Sequence, residues 1–181
     1  GETISDSGGS ADVVAIATSV DFANLPEANL DNIEQIRFAG ANQTGTFTGA
    51  QLTGETLLLT ETAAGTSNLV INVGSGTTTT FTNITASTFT SGSDTVTING
   101  TTGNETITAP NLATTINAGN GNDIIDGGDG ADTLVGGSGN DVYIFNTNDV
   151  DAGETISDSG GSADVVAIAT TTDFVNMPNA S

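Results

Sequence analysis

Residues 118–144 read AGNGNDIID, GGDGADTLV and GGSGNDVYI, which are three consecutive nonapeptides. Each follows the pattern G-G-x-G-x-D-x-U-x, in which U is a large apolar residue. The sixth place holds an aspartate and the eighth an apolar residue, and the six positions are Asp123, Asp132, Asp141, Ile125, Leu134 and Tyr143. A short fixed period of this kind is typical of a solenoid, in which every turn stacks on its neighbours.

The glycines of the nonapeptides predict tightly turned loops, because glycine adopts a positive φ without the steric cost of a Cβ atom. Such a loop turns its carbonyl oxygens inward, and one aspartate per loop adds a carboxylate. Oxygen ligands at flexible distances suit Ca²⁺, which takes about six to eight of them, better than Mg²⁺. A flexible Gly/Asp-rich linker is the alternative, but it gives no reason for an apolar residue at every ninth position. The glycines expected to contribute to calcium binding are Gly119, Gly121, Gly128, Gly130, Gly137 and Gly139.

The nine-residue period extends beyond the nonapeptides towards the N-terminus. Residues 100–108 (GTTGNETIT) form a degenerate unit with Glu105 in the aspartate place, whereas residues 109–117 keep only the apolar residue. We therefore predict stacked turns around a continuous apolar core. Counting back in nines from Tyr143 reaches an apolar residue each time, at Leu134, Ile125, Ile116, Ile107, Ile98 and Phe89.

The nonapeptides resemble those of the RTX (repeats-in-toxin) family, strongly over residues 100–144 and weakly on either side. RTX-like domains form a β-roll in which two nonapeptides make one turn and calcium lies between stacked loops. The resemblance implies one ion between Asp123 and Asp141, with loop carbonyls completing its shell, and a second between Glu105 and Asp123. It also implies export through calcium-poor cytoplasm by a one-step secretion system, followed by folding in the higher calcium outside.

The same arrangement gives Asp132 poorer neighbours on the opposite side of the roll. Residues 109–114, in the turn below it, contain no acid, and residues 145–150, in the turn above, depart from the pattern. Asp132 is therefore expected either to bind calcium through polar residues that follow the nonapeptides or to bind it weakly. Those residues are Asn148, Asp149 and Asp151.

A second and much longer repeat, of 152 residues, connects the two ends of the chain. Residues 1–26 (GETISDSGGSADVVAIATSVDFANLP) recur as residues 153–178 with four differences. The chain therefore holds one full period and the start of the next, which predicts a segment of a long tandem array. The recurring stretch contains a Gly-Gly turn flanked by acids, at Asp158 and Asp164 in the second copy, which either bind another cation or face water.

These patterns predict an all-β chain, a parallel β-solenoid in which a calcium-free β-helix continues into an RTX-like calcium-binding β-roll. Threonine favours strands and is frequent before the nonapeptides, although a small antiparallel sandwich is an alternative for residues 30–90. One period would make roughly eight turns of about 18 to 20 residues. The predicted segments are 1–29 (end of a preceding repeat, with a decayed nonapeptide and a strand), 30–99 (calcium-free solenoid), 100–152 (calcium β-roll) and 153–181 (start of the next repeat).

The composition excludes several classes of function. The formal charge of −21, from 22 acidic residues and one basic residue, disfavours nucleic acid and anionic membrane surfaces as partners, because both are negatively charged. Without cysteine or histidine there is no disulfide, no thiolate metal site and no common general base. No apolar run is long enough to insert into a membrane, and the first residues do not resemble a signal peptide.

We accordingly expect no catalytic residues and no cofactor other than Ca²⁺. The leading interpretation is a calcium-stiffened structural repeat of a large secreted or cell-surface bacterial protein, such as an adhesin stalk, a filament or an S-layer component. Its expected partners are neighbouring repeats of the same chain, with lateral self-association as a second possibility. One alternative is the C-terminal RTX secretion module of a secreted enzyme or toxin. Another is a carbohydrate- or ice-binding solenoid that uses its threonine-rich face.

Overall fold

The structure is a computed structural model that describes residues 12–25, 33–89 and 93–169. Most of the decayed nonapeptide before Asp12 and most of the second copy's C-terminal part lie outside these residues. The described strands are β1 (Val13–Ile16), β2 (Val20–Asp21), β3 (Gln35–Phe38), β4 (Thr44–Thr48), β5 (Leu57–Glu61), β6 (Asn68–Asn72), β7 (Thr78–Thr80), β8 (Ile84–Ala86), β9 (Thr95–Thr101), β10 (Thr106–Thr108), β11 (Thr114–Asn120), β12 (Ile124–Asp126), β13 (Thr133–Ser138), β14 (Val142–Phe145), β15 (Thr155–Ser157) and β16 (Val165–Ile168).

The strands form three sheets, and every strand pairing among the described residues is parallel. Sheet 1 has the order β1-β3-β5-β8, sheet 2 the order β16-β14-β12-β10-β7, and sheet 3 the order β15-β13-β11-β9-β6-β4-β2. The chain visits sheet 3 once in each turn and returns through sheet 1 or sheet 2. The predicted parallel β-solenoid is therefore confirmed, and the antiparallel sandwich for residues 30–90 is excluded.

The length of a turn changes along the solenoid. Between β9 and β14 paired residues are 18 positions apart, as Ile107 and Ile125 are, and Ile116 and Leu134. The earlier turns are longer, since Val13 pairs with Gln35 and Leu57 with Ile84. Two nonapeptides thus make one turn, as the family resemblance implied.

Sheet 1 is replaced by sheet 2 in the middle of the chain. β7 and β8 lie in the same turn, between β6 and β9, but β8 pairs backwards with β5 and β7 pairs forwards with β10. The only helix of the described residues, α1 (Gly49–Leu52), precedes this change and begins with a capping box between Thr48 and Gln51. No helix in the described ranges is long and apolar enough to cross a membrane.

A single apolar core runs along the axis of the solenoid. Inward-facing residues of successive turns lie directly above one another, as Ile98, Ile116 and Leu134 do in sheet 3. Burying such a side chain contributes about 1.5 to 3 kcal/mol, so the stack is the main source of stability in turns that lack calcium loops. The seven apolar residues found by counting in nines are all buried, namely Phe89, Ile98, Ile107, Ile116, Ile125, Leu134 and Tyr143.

Outward-facing polar residues of sheet 3 also form columns. Asn117 donates its side-chain amide to Asn99, and Asn99 to Asn72, each over 3.0 Å. A column of threonines lies beside them, in which the first three members are 18 residues apart and the fourth follows after 22 residues. Its members in consecutive turns are Thr97, Thr115, Thr133 and Thr155.

The 152-residue repeat corresponds to seven turns, fewer than the roughly eight expected from the sequence. Three pairings in sheet 1 lead from β1 to β8, and four pairings in sheet 2 lead from β7, which lies in the same turn as β8, to β16. Val165 of β16 is the residue that repeats Val13 of β1. The count is lower because the calcium-free turns are longer than the nonapeptide turns. In β1, Val14 and Ile16 are 5% and 1% exposed, whereas their counterparts in β16, Val166 and Ile168, are 48% and 53% exposed.

Candidate metal centre

Acidic residues line two edges of the solenoid, at the loops that lead into the short strands, and all of them except Asp164 are buried. On the first edge the acids precede strands of sheet 2, and they are Glu105, Asp123, Asp141 and Asp164. On the second edge they precede strands of sheet 3, and they are Asp94, Asp132 and Glu154. The aspartates of successive nonapeptides therefore lie on opposite edges, as the β-roll arrangement requires.

One hydrogen-bonding rule connects the acids of the first edge. The backbone N–H of each acid donates to a carboxylate oxygen of the acid one turn later. Glu105 donates to Asp123 over 2.7 Å, Asp123 to Asp141 over 2.8 Å and Asp141 to Asp164 over 3.1 Å. Each carboxylate therefore has one oxygen fixed by the neighbouring turn.

Four of the buried acids in the described ranges each have one carboxylate oxygen without a partner. Asp123 Oδ2, Asp132 Oδ2, Asp141 Oδ2 and Glu154 Oε1 are buried and have no hydrogen-bond partner among the described residues. An unpaired anionic oxygen away from water is strongly unfavourable, and the usual compensation is a cation or a proton. Four such oxygens in consecutive loops fit Ca²⁺, which prefers oxygen ligands.

The pKa values of these acids are raised because burial disfavours the charged form. Burial raises the pKa of Asp123 to about 6, with the charges of Glu105 and Asp141 adding to the effect. It raises the pKa of Asp132 to about 8 and that of Glu154 to about 7, and it also raises the pKa of Asp141. A divalent cation would remove this penalty by neutralising the carboxylates.

The predicted loop glycines all have positive φ, between 74° and 139°. At five of them, all except Gly128, the loops stack so closely that a Cβ atom would clash with the backbone of the turn below. A Cβ atom on Gly121 would lie 1.7 Å from the carbonyl oxygen of Gly103, and one on Gly139 would lie 1.7 Å from that of Gly121. A Cβ atom on Gly119 would lie 2.1 Å from the carbonyl oxygen of Thr101, and one on Gly137 would lie 2.0 Å from that of Gly119. Gly128 and Gly130 belong to the loop before Asp132.

Glu105 differs from the aspartates in how its carboxylate is held. Its Oε1 accepts from the N–H of Gly76 over 2.7 Å and from the hydroxyl of Thr101 over 2.9 Å, and its Oε2 accepts from the N–H of Thr101 over 2.9 Å. The longer side chain reaches its own loop, so both oxygens have partners. The structure brings Glu105 and Asp123 into stacked loops, but the unpaired oxygen there belongs to Asp123.

On the second edge Asp132 has a closer partner than those expected from the sequence. Its N–H donates to Glu154 Oε2 over 3.1 Å, and its Oδ1 accepts from the N–H of Thr114 over 2.8 Å. Asp149, which is buried, and Asp151 add negative charge that raises the pKa of Asp132. Asp151 also accepts from the N–H of Gly130 over 3.0 Å.

The sequence analysis missed Glu154 and Asp94. Glu154 is followed by Thr-Ile-Ser, and Glu105 by Thr-Ile-Thr, so this local similarity was the available signal. It was missed because the turn before Glu154 has 22 residues instead of 18, as the pairing of Thr133 with Thr155 shows. Asp94 is buried and accepts from the N–H of Ser67 over 2.8 Å, which is the same role on an earlier turn.

Asp158 and Asp164 lie next to Asp141 at the end of the described solenoid. One carboxylate oxygen from each of the three residues lies within 4.8 Å of those of the other two. Asp141 is buried and the other two are exposed. The structure thus brings together one acid of the last nonapeptide and two acids of the next copy of the long repeat.

Comparison with known families agrees with this geometry over part of the chain. The family model described as RTX calcium-binding nonapeptide repeat (4 copies) matches residues 112–143. The matched range contains Asp123, Asp132 and Asp141 but neither Glu105 nor any acid after the nonapeptides. No curated protein and no solved structure is significantly similar to the chain.

Proposed function

Because residues 112–143 are RTX calcium-binding nonapeptide repeats, we propose that the chain is a calcium-stabilised structural repeat of a large secreted or cell-surface bacterial protein. It would serve as a stalk, filament or S-layer component and would fold when it meets extracellular Ca²⁺. The RTX resemblance supports secretion. The nonapeptide repeats of this family bind calcium in general, and the unpaired carboxylate oxygens of this chain suit that ion.

One observation carries the structural role. β16 is the second copy of β1, and it continues sheet 2 by pairing with β14 in parallel register. The next repeat therefore begins as another turn of the same solenoid, without an intervening linker. A tandem array of such units is a continuous rod, in which the next copy of β3 would cover the exposed Val166 and Ile168.

The proposal includes no enzymatic reaction. The chain has neither histidine nor cysteine, and its buried carboxylates are bound to the backbone of neighbouring turns, which suits metal ligands better than general acids. A C-terminal secretion module is less well supported, because such a module gives no reason for a near-identical recurrence after 152 residues. A ligand-binding threonine face is less well supported as well, since a hydrogen-bonded asparagine column flanks the threonine column of sheet 3.

Electron microscopy of chains with one, two and four copies of the unit tests the proposal. Turns are spaced about 4.8 Å apart, so seven turns predict straight rods that lengthen by about 34 Å per copy in calcium. Removing calcium with EGTA should collapse or soften the rods. Beads joined by flexible hinges in calcium would contradict the continuous solenoid and would favour separate domains.

A further inference from the structure

The loop that opens the second copy stacks on the last nonapeptide as the nonapeptides stack on one another. A Cβ atom on Gly161 would lie 1.9 Å from the carbonyl oxygen of Gly139, which repeats the approach of Gly139 to Gly121. The N–H of Ser162 donates to Asn140 Oδ1 over 3.1 Å. That bond continues a series in which Asn140 donates to Asn122 over 2.8 Å. The recurring stretch is therefore built as a further loop of the first edge.

This loop carries a carboxylate that the nonapeptides lack. Val135 pairs with Ser157 and Ser138 bridges to Gly160, so Asp158 occupies the place that Gly136 has one turn earlier. The hydroxyl of Tyr143 donates to Asp158 Oδ2 over 3.1 Å and accepts from the N–H of Gly136 over 3.0 Å. Asp158 is thereby held beside Asp141 and Asp164.

An independent observation indicates that this cluster takes a cation. Asp141 is fully buried, with 0% of its surface exposed, and its Oδ2 has no hydrogen-bond partner among the described residues. Its ligand atom lies within 4.8 Å of those of Asp158 and Asp164. Three carboxylates converging around an unpaired buried oxygen repel one another unless a positive charge lies between them.

The first copy shows what would cover the cluster in an array. Asp12 is the residue that Asp164 repeats, and its N–H donates to Glu34 Oε2 over 2.8 Å. A following copy would bring its own counterpart of Glu34 to the N–H of Asp164. The hydrogen-bonding rule of the first edge therefore passes through the boundary between two copies without interruption.

We propose that a calcium ion binds at every seam of the array, where Asp141 of one copy meets Asp158 and Asp164 of the next. This inference rests on the proposed structural role and adds a site in which two of the three acids, Asp158 and Asp164, lie outside the matched nonapeptides. The ion would couple the last nonapeptide loop to the first loop of the next repeat. Calcium would then hold consecutive copies together, besides ordering the loops within a copy.

Terbium luminescence tests the seam site directly, because Tb³⁺ replaces Ca²⁺ and is sensitised by a nearby tyrosine. Tyr143 is the only tyrosine and the chain has no tryptophan, and its hydroxyl contacts Asp158. Tyrosine-sensitised emission should rise on titrating Tb³⁺ into the 181-residue chain and fall when Ca²⁺ competes. Asp158→Asn should lower this emission, to the part that comes from an ion between Asp123 and Asp141, and should lower the bound calcium by about one ion per chain, as measured by equilibrium dialysis.

Two comparison variants make the result specific. Asp21→Asn removes an exposed carboxylate far from the loops and should leave both measurements unchanged. Asp132→Asn, on the second edge, should lower total calcium binding but keep the tyrosine-sensitised emission. Asp164→Asn provides a second disruption of the seam if Asp158→Asn does not fold.

The seam site is overturned if both seam variants fold, titrate with native emission and bind as much calcium as the native chain. That result would leave the proposed function intact, provided that calcium still orders the chain. A chain whose circular dichroism does not respond to calcium at all would instead overturn the proposed function itself.

Discussion

The backbone N–H of Asp123 donates to Oδ1 of Asp141, eighteen residues later, over 2.8 Å. This bond ties two stacked loops together through an acid and leaves Asp141 Oδ2 buried without a partner. The same side chain therefore stabilises the stack with one oxygen and destabilises it with the other. A calcium ion at Asp141 Oδ2 would resolve the conflict, and the following predictions depend on that balance.

Calcium should order the nonapeptide half of the chain. The strands there are short, and their burial alone does not offset the conformational entropy of the loops together with the repulsion of the carboxylates. Circular dichroism in EGTA should show less β-structure, and Ca²⁺ should restore it better than Mg²⁺ at equal concentration. An identical spectrum with and without the chelator would contradict the prediction.

Asp123 should matter more than Asp129 for calcium binding. Asp123 is buried and lies between the loops of Glu105 and Asp141. The carboxylate of Asp129, in contrast, accepts a long hydrogen bond of 3.4 Å from the side-chain amide of Asn111. Asp123→Ala should lower the calcium stoichiometry and the stability in calcium, measured by calorimetry and thermal unfolding. Asp129→Ala is the matched control, and equal losses from both would mean that the loops stack in another register.

Glu154→Gln should have opposite effects with and without calcium. Glu154 is buried beside Asp132 and its pKa is raised to about 7 by burial, so removing its charge relieves repulsion in the calcium-free chain. The variant should unfold at a higher temperature than the native chain in EGTA, and bind calcium more weakly on the second edge. Asp21→Asn should change neither value, and a loss of stability in both conditions would show that Glu154 acts only through hydrogen bonds.

The stability of the calcium-free chain should fall as the pH rises. The folded-state pKa values of Asp123, Asp132 and Glu154 are about 6, about 8 and about 7, above the ordinary values near 4 expected for an unfolded chain. A raised pKa gives stability that is present below the unfolded pKa and is lost as pH rises through the folded one. Thermal unfolding of the chelated chain between about pH 5 and pH 8 should therefore show a decreasing midpoint.

Calcium should reverse that trend over the same range, because the ion binds the deprotonated carboxylates. The pair Asp132→Asn and Glu154→Gln, combined in one chain, should flatten the calcium-free profile. A midpoint that rises with pH in the absence of calcium would contradict the burial of these acids.

Gly121→Ala should be far more damaging than Gly54→Ala. Both glycines have positive φ, 117° and 78°, but a Cβ atom on Gly121 would lie 1.7 Å from the carbonyl oxygen of Gly103, whereas one on Gly54 would meet nothing within 4 Å. Backbone strain alone costs about 1 kcal/mol, so Gly54→Ala should lose about that amount in denaturant unfolding. Gly121→Ala should lose at least about 3 kcal/mol, and equal losses would show that the loops can separate without cost.

The nonapeptide half could be predicted from the sequence because its period is uniform. A constant spacing makes Ile107, Ile125 and Tyr143 predictable as one column, and it places Asp123 below Asp141 without any knowledge of the fold. The apolar recurrence reports on burial, which is the strongest signal that a single sequence carries.

Elsewhere the turns vary in length, and a fixed spacing no longer identifies the residues that stack. Glu154 was missed for this reason, because the turn that leads to it has 22 residues, as the pairing of Thr133 with Thr155 shows. The change from sheet 1 to sheet 2 depends on how two short strands, β7 and β8, share one turn. No local pattern around Thr79 indicates that change, since it is decided by which neighbouring turn each strand contacts.

The identity of β1 and β16 has a consequence for how the length of the parent protein can change during evolution. Near-identical copies in a gene recombine unequally, so whole units are gained or lost. Because each unit spans a complete set of seven turns, every boundary formed by such an event joins the same two loops and the same two strands. In the proposed array, length could therefore change by whole units, whereas a deletion within a unit would misalign the sheets.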